Sequence, residues 1–319
     1  MPNEKLITLL TPLYNRAKFL RTYVEGLANQ SYLDKMKIVV CDDGSTDESP
    51  KVLKKYCEEF NLEVELLYNK KNLGLLQTTF KLYHKIDTKY WTVLDPDDYY
   101  ISPDKIKKAV EFLEAHEDYS CYACTNLSEW SDGRKVPIFP PDRPSQTYSG
   151  MKNSPFFQTA STTFRNYFSP KSMKILDGII KGLRDHPFSA DAFRNFWAHH
   201  FGKFYFENSV DSVWRRDVGD WGTSAILKQD ISNMTAHLDF FKYNKEWWGV
   251  DEQAMHCLNL SLYFYNKVLN EFVKHMRHLD IFDFERALYN DNKVGQHIFK
   301  ELIAQVKELN TIGVKINVQ

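Results

Sequence analysis

No run of about 18 apolar residues, the length a helix needs to cross a bilayer, occurs anywhere in the chain, so no segment reads as membrane-spanning. The amino terminus, Met-Pro-Asn-Glu-Lys, passes directly into a short apolar run and lacks the hydrophobic core and cleavage site of a signal peptide. Cysteine is sparse and irregular. Cys41, Cys57, Cys121, Cys124 and Cys257 are odd in number and unevenly spaced, which argues against a disulfide framework and fits a reducing cytoplasm. Cys121 and Cys124 form a C-x-x-C pair, but they lie in a strand-like run without two further ligands at zinc spacing. Neither sign of charge is in excess: 41 basic against 42 acidic residues leave a net charge of -1, so no nucleic-acid partner is expected. With 43% apolar residues, disorder is also excluded as the main state.

What the chain does have is aromatic side chains, 15% of 319 residues, enough length for about two domains. The first half alternates apolar runs with amphipathic ones, the pattern of an α/β fold with a mostly parallel sheet. Strands are expected at Leu6 to Leu10, Lys37 to Cys41, Glu63 to Tyr68, Tyr90 to Leu94 and Tyr119 to Thr125. Helical spacing appears from Phe19 to Leu27, Val52 to Phe60 and Leu75 to Ile86, and after Ser102-Pro103, where Ser102 suits an N-cap. Periodicity fails from Asn126 to Ser154, a proline-rich stretch expected to be a long loop. A short strand is then expected at Thr159 to Arg165, a helix after Pro170, another at Ala190 to His199, and two short strands at Lys203 to Glu207 and Val210 to Arg215. Residues 225–319 read as helices, one long from about Asp251 to His278, so the expected organisation is a domain over 1–224 and a helical region over 225–319.

In parallel α/β sheets, ligands bind at the carboxyl ends of strands. Three such ends carry polar clusters: Thr11-Pro12-Leu13-Tyr14-Asn15-Arg16, Asp42-Asp43-Gly44-Ser45-Thr46-Asp47 and Asp95-Pro96-Asp97-Asp98. If they converge, the five carboxylates of Asp42, Asp43, Asp95, Asp97 and Asp98 share one crevice and repel one another unless a cation is bound. A hard ion that takes one or two carboxylates plus phosphate oxygens, Mg²⁺ or Mn²⁺, suits the last cluster and points to a diphosphate ligand. Each motif alone also reads as a polar turn capping a helix.

The ordered set resembles the family 2 glycosyltransferases of the GT-A fold over roughly residues 6 to 224. It comprises T-P-x-Y-N-R, V-C-D-D-G-S-T-D, N-x-G at Asn72 to Gly74, L-D-P-D-D, Ser189-Ala190-Asp191, Gly202-Lys203-Phe204, and Val213-Trp214-Arg215-Arg216-Asp217 leading to Gly222-Thr223-Ser224. The resemblance implies a metal-dependent, inverting transfer of a sugar from a nucleotide-sugar donor, a UDP-sugar, to a hydroxyl of a glycan, glycolipid or glycoprotein acceptor, as in bacterial surface polysaccharide synthesis. It implies that Pro12 and Tyr14 shape a base pocket, that Asp43 accepts a hydrogen bond from the base, and that Asp95 and Asp97 lie near the ribose. Asp97, Asp98 and Asp217 are then the metal ligands for Mn²⁺ or Mg²⁺, with Asp98 the direct one. Asp191 is the general base, whose pKa partial desolvation would raise.

Ala190 stands where an acidic residue commonly precedes the base, Asp217 where many members have histidine, and Leu-Leu-Gln-Thr-Thr-Phe follows Gly74 in place of Ala-Arg-Asn. Trp221 is a candidate on the acceptor side. The implied location is cytoplasmic, at the inner face of a membrane if association is peripheral, and the helical region offers a surface for oligomerisation. Two other readings stay open: a nucleotidyltransferase, which normally carries a glycine-rich phosphate loop absent from Thr11 to Lys18, and an inactive nucleotide-sugar-binding protein.

Overall fold

The protein is described here by a computed structural model covering residues 4–170, 172–174, 176–177, 190–216 and 226–276 with five positions between 304 and 311. It divides into two compact units, Met1–Asp185 with Ala190–Thr223, and a second that includes Ser224–Gln319. The expected boundary at residue 224 falls outside the described residues.

The first unit is built on one mixed sheet. Its strands are β1 (Ile7–Leu13), β2 (Met36–Asp42), β3 (Glu65–Tyr68), β4 (Tyr90–Val93), β5 (Tyr99–Tyr100), β6 (Tyr119–Glu129), β7 (Lys135–Pro137), β8 (Gln146–Tyr148), β9 (Thr162–Arg165) and β10 (Lys203–Arg215). The order is β3-β2-β1-β4-β9-β6-β10-β5, with β7 on β6 and β8 on β10. The four strands β3, β2, β1 and β4 are parallel, β9 runs antiparallel to both of its neighbours, and β6 and β10 are again parallel. Every residue of β1 is buried because the strand is central and covered on both faces, which is why it reads as a continuous apolar run without alternation.

The described helices of the unit include α1 (Leu20–Ala28), α2 (Ser49–Glu59), α3 (Leu75–Tyr83), α4 (Lys105–Ala115) and α5 (Ala190–His199), and residues 170, 172–174 and 176–177 after β9 are also helical, as expected after Pro170. Tyr23, Val24 and Leu27 of α1, with Ile106, Val110 and Leu113 of α4, pack on Leu9, Ile38 and Tyr122 of the sheet. Helix α1 also lies against β5: a Cβ on Gly26 would sit 2.7 Å from the Tyr100 carbonyl oxygen.

Several local expectations change. α4 starts at Lys105 with Asp104 in the N-cap position rather than Ser102, and no side chain caps it, because the Asp104 carboxylate accepts from Ser31 Oγ at 2.7 Å. The stretch after Asn126 is not a continuous loop. β6 extends to Glu129 and turns at Gly133 into β7, and β8 returns to pair with β10. The two short strands expected from Lys203 to Arg215 are one strand, β10, interrupted by register shifts around Val210. Cys121 and Cys124 are buried in β6, and burial pushes the Cys124 thiol up to about 11, so the C-x-x-C pair is core.

Among its described residues the second unit contains an antiparallel pair of helices, α6 (Ile226–Trp247) and α7 (Glu252–Met276). The turn between them uses Gly249 at φ 88°. Asn244 Nδ2 donates to the Gly249 carbonyl at 3.0 Å and to Asp251 Oδ1 at 2.9 Å, and Asp251 Oδ1 caps α7 by accepting from Ala254 N at 2.8 Å. Among the described residues no helix is long and apolar enough to cross a membrane.

Buried His237 gives this unit a signed pH dependence. Burial first, then the charge of His256, lowers its pKa to about 4, against a hydrogen bond to the Asn233 carbonyl that favours the protonated ring. As pH falls below about 6.5 the unfolded chain takes up a proton that the folded one refuses. Stability of the helical unit should therefore drop by on the order of 3 kcal/mol between about pH 6.5 and 4. Replacing His237 with Phe should flatten that limb in pH-dependent unfolding, and an unchanged slope would contradict the assignment.

Candidate functional site

The loops after β1 and β2 are laced together. Asn15, at φ 50°, accepts through Oδ1 from Thr46 N at 2.8 Å and Asp47 N at 3.2 Å, while its own N donates to Ser45 Oγ at 3.0 Å. Arg16 N donates to Ser49 Oγ at 2.8 Å. Gly44 adopts φ +71° and packs so closely on the next turn that a Cβ would lie 2.9 Å from Asn72 N, so D-D-G-S needs its glycine for both conformation and contact.

The end of β4 joins this pair. Thr11 Oγ1 donates to the Leu94 carbonyl at 2.8 Å, and Arg16 Nε pairs with Asp97 Oδ2 at 2.9 Å. Asp98 N closes a turn onto the Asp95 carbonyl at 3.0 Å, and the two residues of β5 then pair with Ser212 and Val213 of β10. That pairing brings Arg215 alongside. Its N donates to Asp98 Oδ1 at 2.9 Å, its Nη1 to the Asp97 carbonyl at 2.7 Å, its Nη2 to Thr22 Oγ1 at 3.0 Å, and its Nε lies 3.2 Å from Glu129.

Asp191, second residue of α5, reaches the same crevice. Its Oδ1 accepts from Thr159 Oγ1 at 2.6 Å and pairs with buried Arg194 one turn on. The charges of Asp191, Asp97 and Arg194 and the Thr159 hydroxyl all act on Asp95.

Crowding shows in the titration of these groups. Burial, then the charges of Asp191 and Asp97, raises the Asp95 pKa to about 7, against Arg194 and Thr159. Burial, then Asp97 and Asp95, holds Asp98 well above the ordinary carboxylate range, opposed by the N–H and charge of Arg215. Such a set of hard oxygen donors suits Mn²⁺ or Mg²⁺, which accept one or two carboxylates and complete their shell with phosphate oxygens. Among the described residues no group of three or more His, Cys, Asp or Glu is arranged to hold a metal ion. An ion on Asp97 and Asp98 therefore needs further ligands from a bound diphosphate or from outside this set.

Of the residues singled out in the sequence, Asp95, Asp97, Asp98 and Asp191 lie in one electrostatic cluster. Pro12 is buried at the end of β1, and Tyr14 just beyond it is 38% exposed. Asp217 and Trp221 lie outside the described residues. The Asp43 carboxylate accepts from Asn69 Nδ2 at 2.7 Å and from Leu73 N and Gly74 N, each at 2.9 Å, so it fixes the turn that starts α3. Neighbouring Asp42 uses Oδ2 for Ser45 N at 3.2 Å, and its buried Oδ1 has no hydrogen-bond partner. Arg16 and Arg215 stand in the sequence motifs without a role of their own, and Thr159 and Arg194 were not singled out. The i, i+3 spacing of Asp191 and Arg194 was a usable signal; the contacts of Thr159 and Arg215 span 32 and 117 residues and left none.

Comparison with known proteins bears on the family and the fold. The sequence profile described as glycosyl transferase family 2 matches residues 8–169, just over half of the chain. The processive diacylglycerol beta-glycosyltransferase of Mycoplasma genitalium is 32% identical over 115 residues, 36% of this chain and 33% of that protein. The chain thus matches between a third and a half of the length of the curated relatives. Among solved structures, S. aureus TarS 1-349 in complex with UDP superposes with a TM-score of 0.58 at 16% identity, covering 82% of this chain and 71% of that one, and the same fragment is known with UDP-GlcNAc. Mannosyltransferase PcManGT from Pyrobaculum calidifontis, solved with GDP-Man and Mn²⁺, has a TM-score of 0.54 at 15% identity over 96% of this chain and 87% of its own. The α/β fold is that of the GT-A glycosyltransferases, with helices in the carboxyl-terminal region.

Proposed function

The chain belongs to glycosyl transferase family 2, and from that premise we propose that it transfers a sugar from a UDP-sugar to a hydroxyl of a glycan, glycolipid or glycoprotein acceptor, with inversion at the anomeric carbon. The observation that carries the reading is the gathering of Asp95, Asp97, Asp98 and Asp191 at the carboxyl ends of β1, β2 and β4, where an α/β sheet takes its ligand. The nucleotide sugars bound by TarS and by the mannosyltransferase support it.

In this reading Tyr14 stacks on the base beside Pro12. Asp43 accepts a hydrogen bond from the base, and the same carboxylate holds the Asn72–Gly74 turn by accepting from Leu73 N and Gly74 N. Asp95 lies toward the ribose. Asp97 and Asp98, with Asp217, hold a divalent ion, which when bound offsets the charge that grows on the departing diphosphate. Arg16 and Arg215 keep the Asp97–Asp98 turn in place before any ligand arrives. Asp191 takes the proton of the acceptor hydroxyl as its oxygen attacks the anomeric carbon and the bond to the diphosphate breaks. The crevice walls supply orientation, and no covalent sugar–enzyme intermediate is needed.

The test is nucleoside-diphosphate release from a panel of UDP-GlcNAc, UDP-glucose, UDP-galactose and GDP-mannose, with Mn²⁺ and after EDTA. Release of UDP from at least one UDP-sugar in Mn²⁺, abolished by EDTA, is expected. Binding of UDP-sugars without turnover over a range of acceptors would instead identify an inactive binding protein, and pyrophosphate release from UTP and a sugar 1-phosphate would identify a nucleotidyltransferase.

A further inference from the structure

We propose that Arg194 is the positioning residue for the acceptor-side base: it anchors Asp191 through Oδ1 and leaves Oδ2 to meet the acceptor hydroxyl. The proposal rests on the transferase reading above. Its basis is geometric. Arg194 is 3% exposed, and a guanidinium cut off from water needs a carboxylate against it. It finds Asp191 one turn earlier on the same helix, and Asp95 from the end of β4 also faces it.

The direction of every proton in the cluster follows from chemistry. Arginine has no acceptor, so Arg194 Nη2 donates both to Asp191 Oδ1 and to Thr159 Oγ1, the latter at 2.7 Å. The Thr159 hydroxyl, which also acts on Asp95, forms its hydrogen bond with Asp191 Oδ1, 2.6 Å away. Two donors converge on one oxygen. Among the described residues no hydrogen bond engages Oδ2, and the Asp191 side chain keeps 28% of its surface exposed.

The cradle around the guanidinium is stiff. The buried hydroxyl oxygen of Tyr83 on α3 faces the Arg194 guanidinium without a hydrogen bond of its own, and the Tyr83 ring meets Phe80 edge-on at 5.4 Å, while Phe80 in turn meets Phe193 of α5 at 5.2 Å. Asn195 ties the start of α5 down through its Nδ2, which donates to the carbonyls of Asp191 at 2.8 Å and Phe157 at 3.1 Å. The groups facing Arg194 are thus Tyr83 from α3, Asp95 from β4, Thr159 from the turn before β9 and Asp191 from α5.

The experiment is a double-mutant cycle of Arg194→Met and Asp191→Asn, with Arg194→Lys as the conservative variant, read as kcat and donor KM with the sugar nucleotide that the release assay selects. Arg194→Met should lower kcat by about 10²-fold with donor KM changed less than about threefold, because a misplaced base harms the chemical step and not donor binding. Arg194→Lys should recover about tenfold of that loss, since an ammonium keeps the ion pair without the fork. In the Asp191→Asn background, Arg194→Met should change kcat less than about twofold. Equal losses in both backgrounds, or a rise in donor KM at unchanged kcat, would overturn the positioning role while leaving the transferase reading intact. Wild-type kcat in Asp191→Asn alone would instead remove the base assignment itself, and this proposal with it. Should Arg194→Met fail to fold, the same cycle run with Arg194→Lys decides the matter: its deficit must vanish in the Asp191→Asn background.

Discussion

Replacing Asp191 with Asn is expected to lower kcat by about 10²–10⁴-fold, the range supplied by a positioned general base, while leaving the binding of UDP and Mn²⁺ as it was. The amide keeps the shape of the carboxylate and an oxygen that can accept from Thr159 and Arg194, so α5 and its packing through Phe193 and Phe196 should survive. What is lost is the ability to accept a proton at Oδ2. Thermal unfolding with and without UDP and Mn²⁺ checks the first half, since a ligand bound to the native state raises Tm. Initial rates of UDP release check the second. A fall in the ligand-induced Tm shift that matches the fall in rate would show that Asp191 binds the donor and is not the base.

Asp98→Asn should move stability and activity in opposite directions. The Asp98 carboxyl is buried beside Asp97 and Asp95, which together hold its pKa well above the ordinary value. A group whose folded pKa is raised weakens the fold as pH climbs above the unfolded value of about 4. Asparagine keeps an oxygen for Arg215 N, 2.9 Å away, and removes the repulsion. The ligand-free variant should therefore be more stable than the wild type above about pH 4, with the gain growing as pH rises. Its turnover should fall by at least about 10²-fold, the scale of losing one strong electrostatic contribution at a transition state. This is the trade expected where a site is strained until its ligand arrives. A less stable variant, or one that keeps Mn²⁺-dependent turnover, would mean that Asp98 serves the fold and not the ion.

The parts of this site visible in the sequence are those set by local pattern. β1, β2 and β4 are buried on both faces and read as apolar runs, and the polar residues that follow them mark where the strands end. α5 was visible from its spacing of Ala192, Phe193, Phe196 and Trp197, and the structure gives it the expected bounds, Ala190–His199. What stayed hidden depends on long-range pairing. β5 has only two residues, too few for any periodicity, yet its pairing with β10 delivers Arg215 to Asp98. β7 and β8 lie among prolines and are held by neighbouring strands rather than by their own pattern. The distinction between Asp42 and Asp43 could not be read from adjacent identical residues. It follows from the backbone N–H groups of Leu73 and Gly74, thirty residues away, which bind the Asp43 carboxylate, whereas Asp42 bonds within its own turn to Ser45 N.

Inverting transfer directed by Asp191 is tested most directly by the stereochemistry of the product. Proton NMR of the glycoside formed from an α-linked UDP-sugar and a simple alkyl glycoside acceptor, recorded with Mn²⁺ present, reports the anomeric configuration of the new bond. A β-linked product, formed by the wild type and lost in Asp191→Asn, is the predicted result, and an α-linked product would contradict the account.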